Sequence, residues 1–134
     1  MRWVAIAGVL ALDPRLLVLD EPLAGLDPSG KVRLREMLLR LNREQGVTLA
    51  VVSHSLEELG ELADTLLVMK NQRILRHEPF FRLLEDREVL AELGMRLPIY
   101  TRLMLKLKEM GFGVFPAVFS LEQAKAQILA LAGN

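Results

Sequence analysis

Apolar positions along this chain change period several times, and each change marks an element. Residues 3–12 (WVAIAGVLAL) are almost wholly apolar and stop at Asp13-Pro14. A residue before proline is pushed out of the α region, so a helix ends there. Residues 16–19 (LLVL) form a short unbroken apolar run, the pattern of a strand covered on both faces. A turn-like stretch over 21–29 follows. Val32, Leu34, Met37, Leu38 and Leu41 then recur at the spacing of one helix face, and Gly46 ends that helix. Residues 47–52 read as a second buried strand.

Ser55 and Glu58 form a capping box that opens a helix over 56–63. Residues 65–69 read as a third strand, and Asn71-Gln72 as a hairpin turn into 73–76. Helices alternating with strands argue for an α/β fold built on a mostly parallel sheet. Beyond Glu78-Pro79 the pattern changes. Residues 80–110 read as helices broken near Gly94 and Leu97-Pro98, and residues 111–119 are less regular, with room for one short strand. Ser120, with Gln123 at the box position, caps a last helix over 121–131. The expected division is therefore 1–79 and a mainly helical extension over 80–134.

Composition narrows the function classes. The chain has 134 residues, 51% of them apolar, enough for a packed core. Seventeen basic residues balance seventeen acidic ones, so the basic excess of a nucleic-acid binder is missing. With no cysteine there is no disulfide and no thiolate metal site. The ten-residue apolar run over 3–12 is half of what a membrane-spanning helix needs, about 20 residues. Asp13-Pro14-Arg15 does not resemble the small-residue cleavage site of a signal peptide.

The chemistry gathers after the first strand. Four apolar residues deliver Asp20 and Glu21 to the carboxyl edge of the expected sheet, where open α/β sheets bind ligands. Adjacent carboxylates there suit a hard cation and its waters; a solvated acidic turn is the plain alternative.

Asp20-Glu21-Pro22-Leu23-Ala24-Gly25-Leu26-Asp27-Pro28 resembles the joined Walker B motif and D-loop of the ABC ATPases. Ser53-His54 stands where that family carries its switch histidine. Met1-Arg2-Trp3-Val4-Ala5-Ile6-Ala7-Gly8 resembles the helix directly after the family's signature sequence, although Trp3 departs from the usual basic residue. The three features follow the family's order and spacing. The resemblance implies a partial P-loop NTPase sheet that works with ATP and Mg²⁺. Asp20 would hold Mg²⁺ through water. Glu21 would polarise the water that attacks the γ-phosphate. Asp27 would lie at the seam with a second ATPase subunit and sense its nucleotide. His54 would hydrogen-bond the γ-phosphate. Apart from the motif, His54 reads as a strand-end histidine satisfied by local backbone.

The family's phosphate-gripping loop, G-x-x-x-x-G-K-[ST], does not occur in these 134 residues, nor do its glutamine loop and signature segment. Residues 25–32 (GLDPSGKV) come close, but Val32 has no hydroxyl for a cation, Asp27 adds negative charge and Pro28 removes an N–H. They read as the D-loop and a helix start. Met1 aligns within the family's continuous sequence, so a truncation, an excised domain or a misassigned start codon is expected, with an isolated chain that does not hydrolyse ATP. Without the family's other half, the strand over 16–19 is expected to show an apolar edge, an aggregation hazard.

Gly25-Leu26-Asp27-Pro28, and Leu93-Gly94-Met95-Arg96-Leu97-Pro98 with the leucine-rich helix after it, are similar to the energy-coupling factor branch of importers for cobalt, nickel or vitamins. That resemblance implies a tail that aids pairing of ATPase subunits as homo- or heterodimers. It also implies an integral-membrane coupling subunit and a peripheral place on the cytoplasmic face of the membrane. The alternatives are a soluble ABC ATPase without a transport role and a non-enzymatic pairing module. Phe80, Phe81, Phe112, Phe115 and Phe119 are expected in the core, His77 at the surface, and the basic residues over 102–108 on a solvated helix face.

Overall fold

The computed structural model describes residues 2–132, which form two compact units that meet in sequence between Ser53 and His54. The first holds α1 (Arg2–Leu10), β1 (Leu16–Asp20), α2 (Pro28–Gln45) and β2 (Thr48–Val52). α1 stops short of Asp13-Pro14, as the proline requires, and Asp13 turns the chain with φ 51°.

β1 and β2 pair in parallel, with Leu16 opposite Thr48 and Asp20 opposite Val52. α2 is the connection that a parallel pair demands, and it packs beside β2. Asp27 caps its start, Pro28 occupies the first turn, and Leu34, Leu38 and Leu41 are buried along one face. Gly46 closes it in the left-handed region at φ 69°, and the N–H groups of Gly46 and Val47 reach back to the carbonyls of Asn42 and Leu41.

β1 is not covered on both faces, in keeping with the apolar exposure expected of residues 16–19 without the family's other half. Leu17 and Leu19 are buried, whereas Leu16 is 55% exposed and Val18 64%. Val52, opposite Asp20, is 56% exposed on β2. The strand's four apolar residues split between a covered face and an open one, because side chains alternate along a strand. With only two strands in the sheet, each also keeps an unpaired edge among the described residues.

The second unit holds α3 (Leu56–Leu62), the strands β3 (Thr65–Lys70) and β4 (Arg73–Pro79), and the helices α4 (Phe80–Glu85), α5 (Arg87–Glu92), α6 (Ile99–Glu109) and α7 (Leu121–Ala132). The Ser55 hydroxyl accepts from the Glu58 N–H, as the capping box requires. β3 and β4 are an antiparallel hairpin of their own, turned by Asn71 and Gln72 with φ 49° and 62°, the backbone of a two-residue type I′ loop. Met104, Val114, Val118 and Ala124 form a small core, with Tyr100, Leu107 and Leu131 packed against it. Thr101, wholly buried, donates its hydroxyl to the Val118 carbonyl at 2.6 Å.

Residues 111–119 hold no strand; the Gln127 side chain takes up the N–H and C=O of Phe115 in place of a ladder partner. Of the five phenylalanines expected inside, only Phe80 and Phe119 are buried, edge to face at 5.0 Å. Phe81, Phe112 and Phe115 are exposed. His77 and the side chains of Arg102, Lys106 and Lys108 are exposed. Packing divides the chain at 53/54, and the expected division at 79, where the pattern turns mainly helical, falls inside the second unit.

Candidate active site

The carboxyl end of β1 carries Asp20 and Glu21. Asp20 is the last residue of the strand and its side chain is exposed on the open face of the sheet. Glu21 extends the ladder by one bond, donating its N–H to the Val52 carbonyl at 2.8 Å. Its φ is then 43°, in the left-handed region that non-glycine residues seldom enter and that concentrates at functional turns. The Ala24 N–H donates back to the Glu21 carbonyl at 3.2 Å, so the backbone of Glu21 is tied on both sides. Its carboxylate Oε2 accepts the Ser53 hydroxyl at 3.2 Å.

The loop over 22–26 is anchored by buried Pro22 and Leu23 and turned by Gly25 at φ 72°. It delivers Asp27 to the N-cap of α2, where Oδ1 accepts the Gly30 N–H at 3.2 Å. A Cβ on Gly30 would stand 2.7 Å from that oxygen, so glycine is what lets the carboxylate reach the amide. Within residues 25–32, then, a helix-start N–H that an anion would need is already bonded to Asp27, at the start of α2.

Asp20, Glu21 and Ser53 therefore meet at one end of the two-stranded sheet, and Asp27 caps the helix that follows. His54 is exposed and opens the second unit, on the segment between β2 and α3. Ser53 is the contact that sequence reading passed over. Parallel register could have found it: with Asp20 opposite Val52, the next residue on each strand is brought alongside.

The donor set suits Mg²⁺, which keeps most of its waters and takes one or two carboxylates beside substrate phosphates. The described residues contain no group of three or more His, Asp or Glu side chains that would cage an ion. Asp20, exposed at a strand end, can serve as the single carboxylate of such a site.

No family model matches the chain. It is similar to the energy-coupling factor transporter ATP-binding protein EcfA2 of Clostridium perfringens, 37% identical over 133 residues, 99% of this chain and 47% of that protein. The EcfA2 of Clostridium tetani is 42% identical over 134 residues, 99% of the chain and 46% of the relative. The EcfA2 of Geobacillus kaustophilus is 41% identical over 132 residues, 98% of the chain and 46% of the relative. Among solved structures, cbiO1 from Clostridium perfringens, described as part of the ABC transporter complex cbiONQ, aligns with a TM-score of 0.57 at 35% identity. That alignment covers 76% of this chain and 41% of cbiO1.

An acidic pair ending a parallel strand, a following helix capped by Asp27 and this structural match define part of an ABC ATPase fold. More narrowly, nearly the whole chain is similar to the C-terminal part of the energy-coupling factor transporter ATP-binding proteins. It spans about half the length of the curated relatives it matches. Among its described residues, no helix is long and apolar enough to cross a membrane.

Proposed function

We propose that this chain is the hydrolytic and subunit-pairing part of an ATPase that powers an energy-coupling factor importer. The observation that carries the reading is Glu21, held at the end of β1 by backbone bonds on both sides, with Asp20 before it and Asp27 capping α2 after it. In a complete subunit Asp20 holds Mg²⁺ through water, and Glu21 orients and polarises the water that attacks the γ-phosphate. Asp27 lies at the seam with the second ATPase subunit, and His54 hydrogen-bonds the γ-phosphate. Mg²⁺ supplies charge neutralisation on the phosphates.

The phosphate grip comes from sequence outside these residues, so the isolated chain does not turn over ATP. The open apolar face of β1 and β2 supports this division, since it has the composition of a covered sheet. Exposed Ile99 and Leu103 on α6, and Leu121 and Leu129 on α7, support a pairing role for the helical extension. The working assembly is a homo- or heterodimer of ATPase subunits, peripheral on the cytoplasmic face of the membrane, bound to an integral-membrane coupling subunit. Cobalt, nickel or a vitamin is the cargo class.

The test joins residues 2–132 to the N-terminal part of the Clostridium tetani relative and measures Mg²⁺-dependent phosphate release. The joined subunit hydrolyses ATP, and Glu21→Gln lowers the rate by about 10²-fold or more while nucleotide binding persists. Phosphate release by the isolated chain that Glu21→Gln abolishes would overturn the division of labour. Hydrolysis indifferent to Glu21→Gln would overturn the site.

A further inference from the structure

The site holds a side chain to which the family resemblance gave no role. Parallel pairing sets Asp20 opposite Val52, and the Glu21 N–H to Val52 carbonyl bond carries the register one residue past both strands. Ser53 is therefore beside Glu21 by construction of the sheet, although 32 positions separate them in sequence. The Glu21 backbone is fixed at φ 43° by the Val52 and Ala24 bonds. What those bonds leave undetermined are the three side-chain torsions that aim its carboxylate. The Ser53 hydroxyl, half-buried at the end of β2, donates to Oε2 at 3.2 Å and constrains those torsions.

We propose that Ser53 is a positioning residue for hydrolysis: its hydroxyl holds the Glu21 carboxylate in the orientation that engages the attacking water. The inference rests on the functional reading above, and it adds a residue that acts through Glu21 without touching nucleotide. A long carboxylate side chain that must meet a water within a few tenths of an ångström gains most from such a restraint. A hydrogen bond to a charged acceptor is strong enough for its loss to be seen in turnover.

The experiment uses the joined subunit described above, with Ser53→Ala, Ser53→Thr and Glu21→Gln alone and combined. Ser53→Ala is expected to lower kcat about five- to tenfold with KM for ATP unchanged, and Ser53→Thr, which keeps a hydroxyl, to recover most of the loss. In the Glu21→Gln background Ser53→Ala is expected to have no further effect, because the group it positions is gone. A second readout on the 134-residue chain follows the ¹³C signal of the Glu21 carboxyl, which Ser53→Ala shifts and Ser53→Thr restores. An unchanged kcat, a rise in KM with kcat preserved, an equal loss with and without Glu21, or an unmoved carboxyl signal would overturn the proposal. A joined subunit that binds ATP and never hydrolyses it would instead refute the functional reading, and this inference with it.

Discussion

Gly60 lies within α3, and a Cβ built there would stand 2.3–2.4 Å from three ring carbons of Phe119. Two effects of Gly60→Ala oppose each other. Alanine is the better helix former, by roughly 1 kcal/mol in a helix interior. Against that, a methyl group must enter space filled by a ring that has little room to give. Phe119 is 4% exposed, meets Phe80 edge to face at 5.0 Å, and donates its backbone N–H to Gln123 Oε1 at 2.9 Å. Overpacking of this kind costs about 1–3 kcal/mol, and an approach this close belongs at the upper end. The steric cost wins, and Gly60→Ala is expected to destabilise the second unit by about 1–2 kcal/mol. For a unit of this size that lowers the melting temperature by roughly 5–15 °C. Thermal and urea denaturation followed by circular dichroism read the change. Phe119→Leu should couple to it, the double variant losing less than the sum of the two singles. A Gly60→Ala chain that melts at or above the unsubstituted temperature would refute the reasoning, since the ring would then have moved aside at no cost.

Asp27 has a structural duty that can be separated from its proposed place at the seam. Asp27→Ala should cost about 1 kcal/mol through loss of the cap, whereas Asp27→Asn keeps a capping oxygen and should be nearly neutral in a denaturation midpoint; equal losses would show that the cap bond is not what stabilises α2. Thr101→Val removes the donor to a buried carbonyl at almost constant shape and should cost about 1–3 kcal/mol, while Thr101→Ser should retain most of the stability. Equal denaturation midpoints for the two Thr101 variants would contradict the hydrogen bond's importance. Gln127→Ala frees the exposed backbone of Phe115 and should speed amide exchange there, with a stability cost of about 1 kcal/mol or less; unchanged exchange would mean the segment is held by other contacts.

Local physics was legible from residues alone. Pro14 stopping a helix, Ser55 capping another, Gly46 closing α2 and Asn71-Gln72 turning a hairpin all rest on forces that act within a few residues. Sequence order therefore contains them. The acidic pair at the end of β1 was legible for the same reason: an apolar run followed by two carboxylates needs no partner to be seen. Which side of β1 is covered was not legible. The run over 16–19 is apolar on both sides of the strand, and only the fold showed that Leu17 and Leu19 are buried while Leu16 and Val18 face outward. The phenylalanines are a second case, since hydrophobicity says what burial would gain and not which side chains the fold encloses. The meeting of Ser53 with Glu21 also belonged to the tertiary structure. Two residues 32 apart touch because β1 and β2 pair in one register, and a shift by a single position would put the hydroxyl on the wrong face of the sheet.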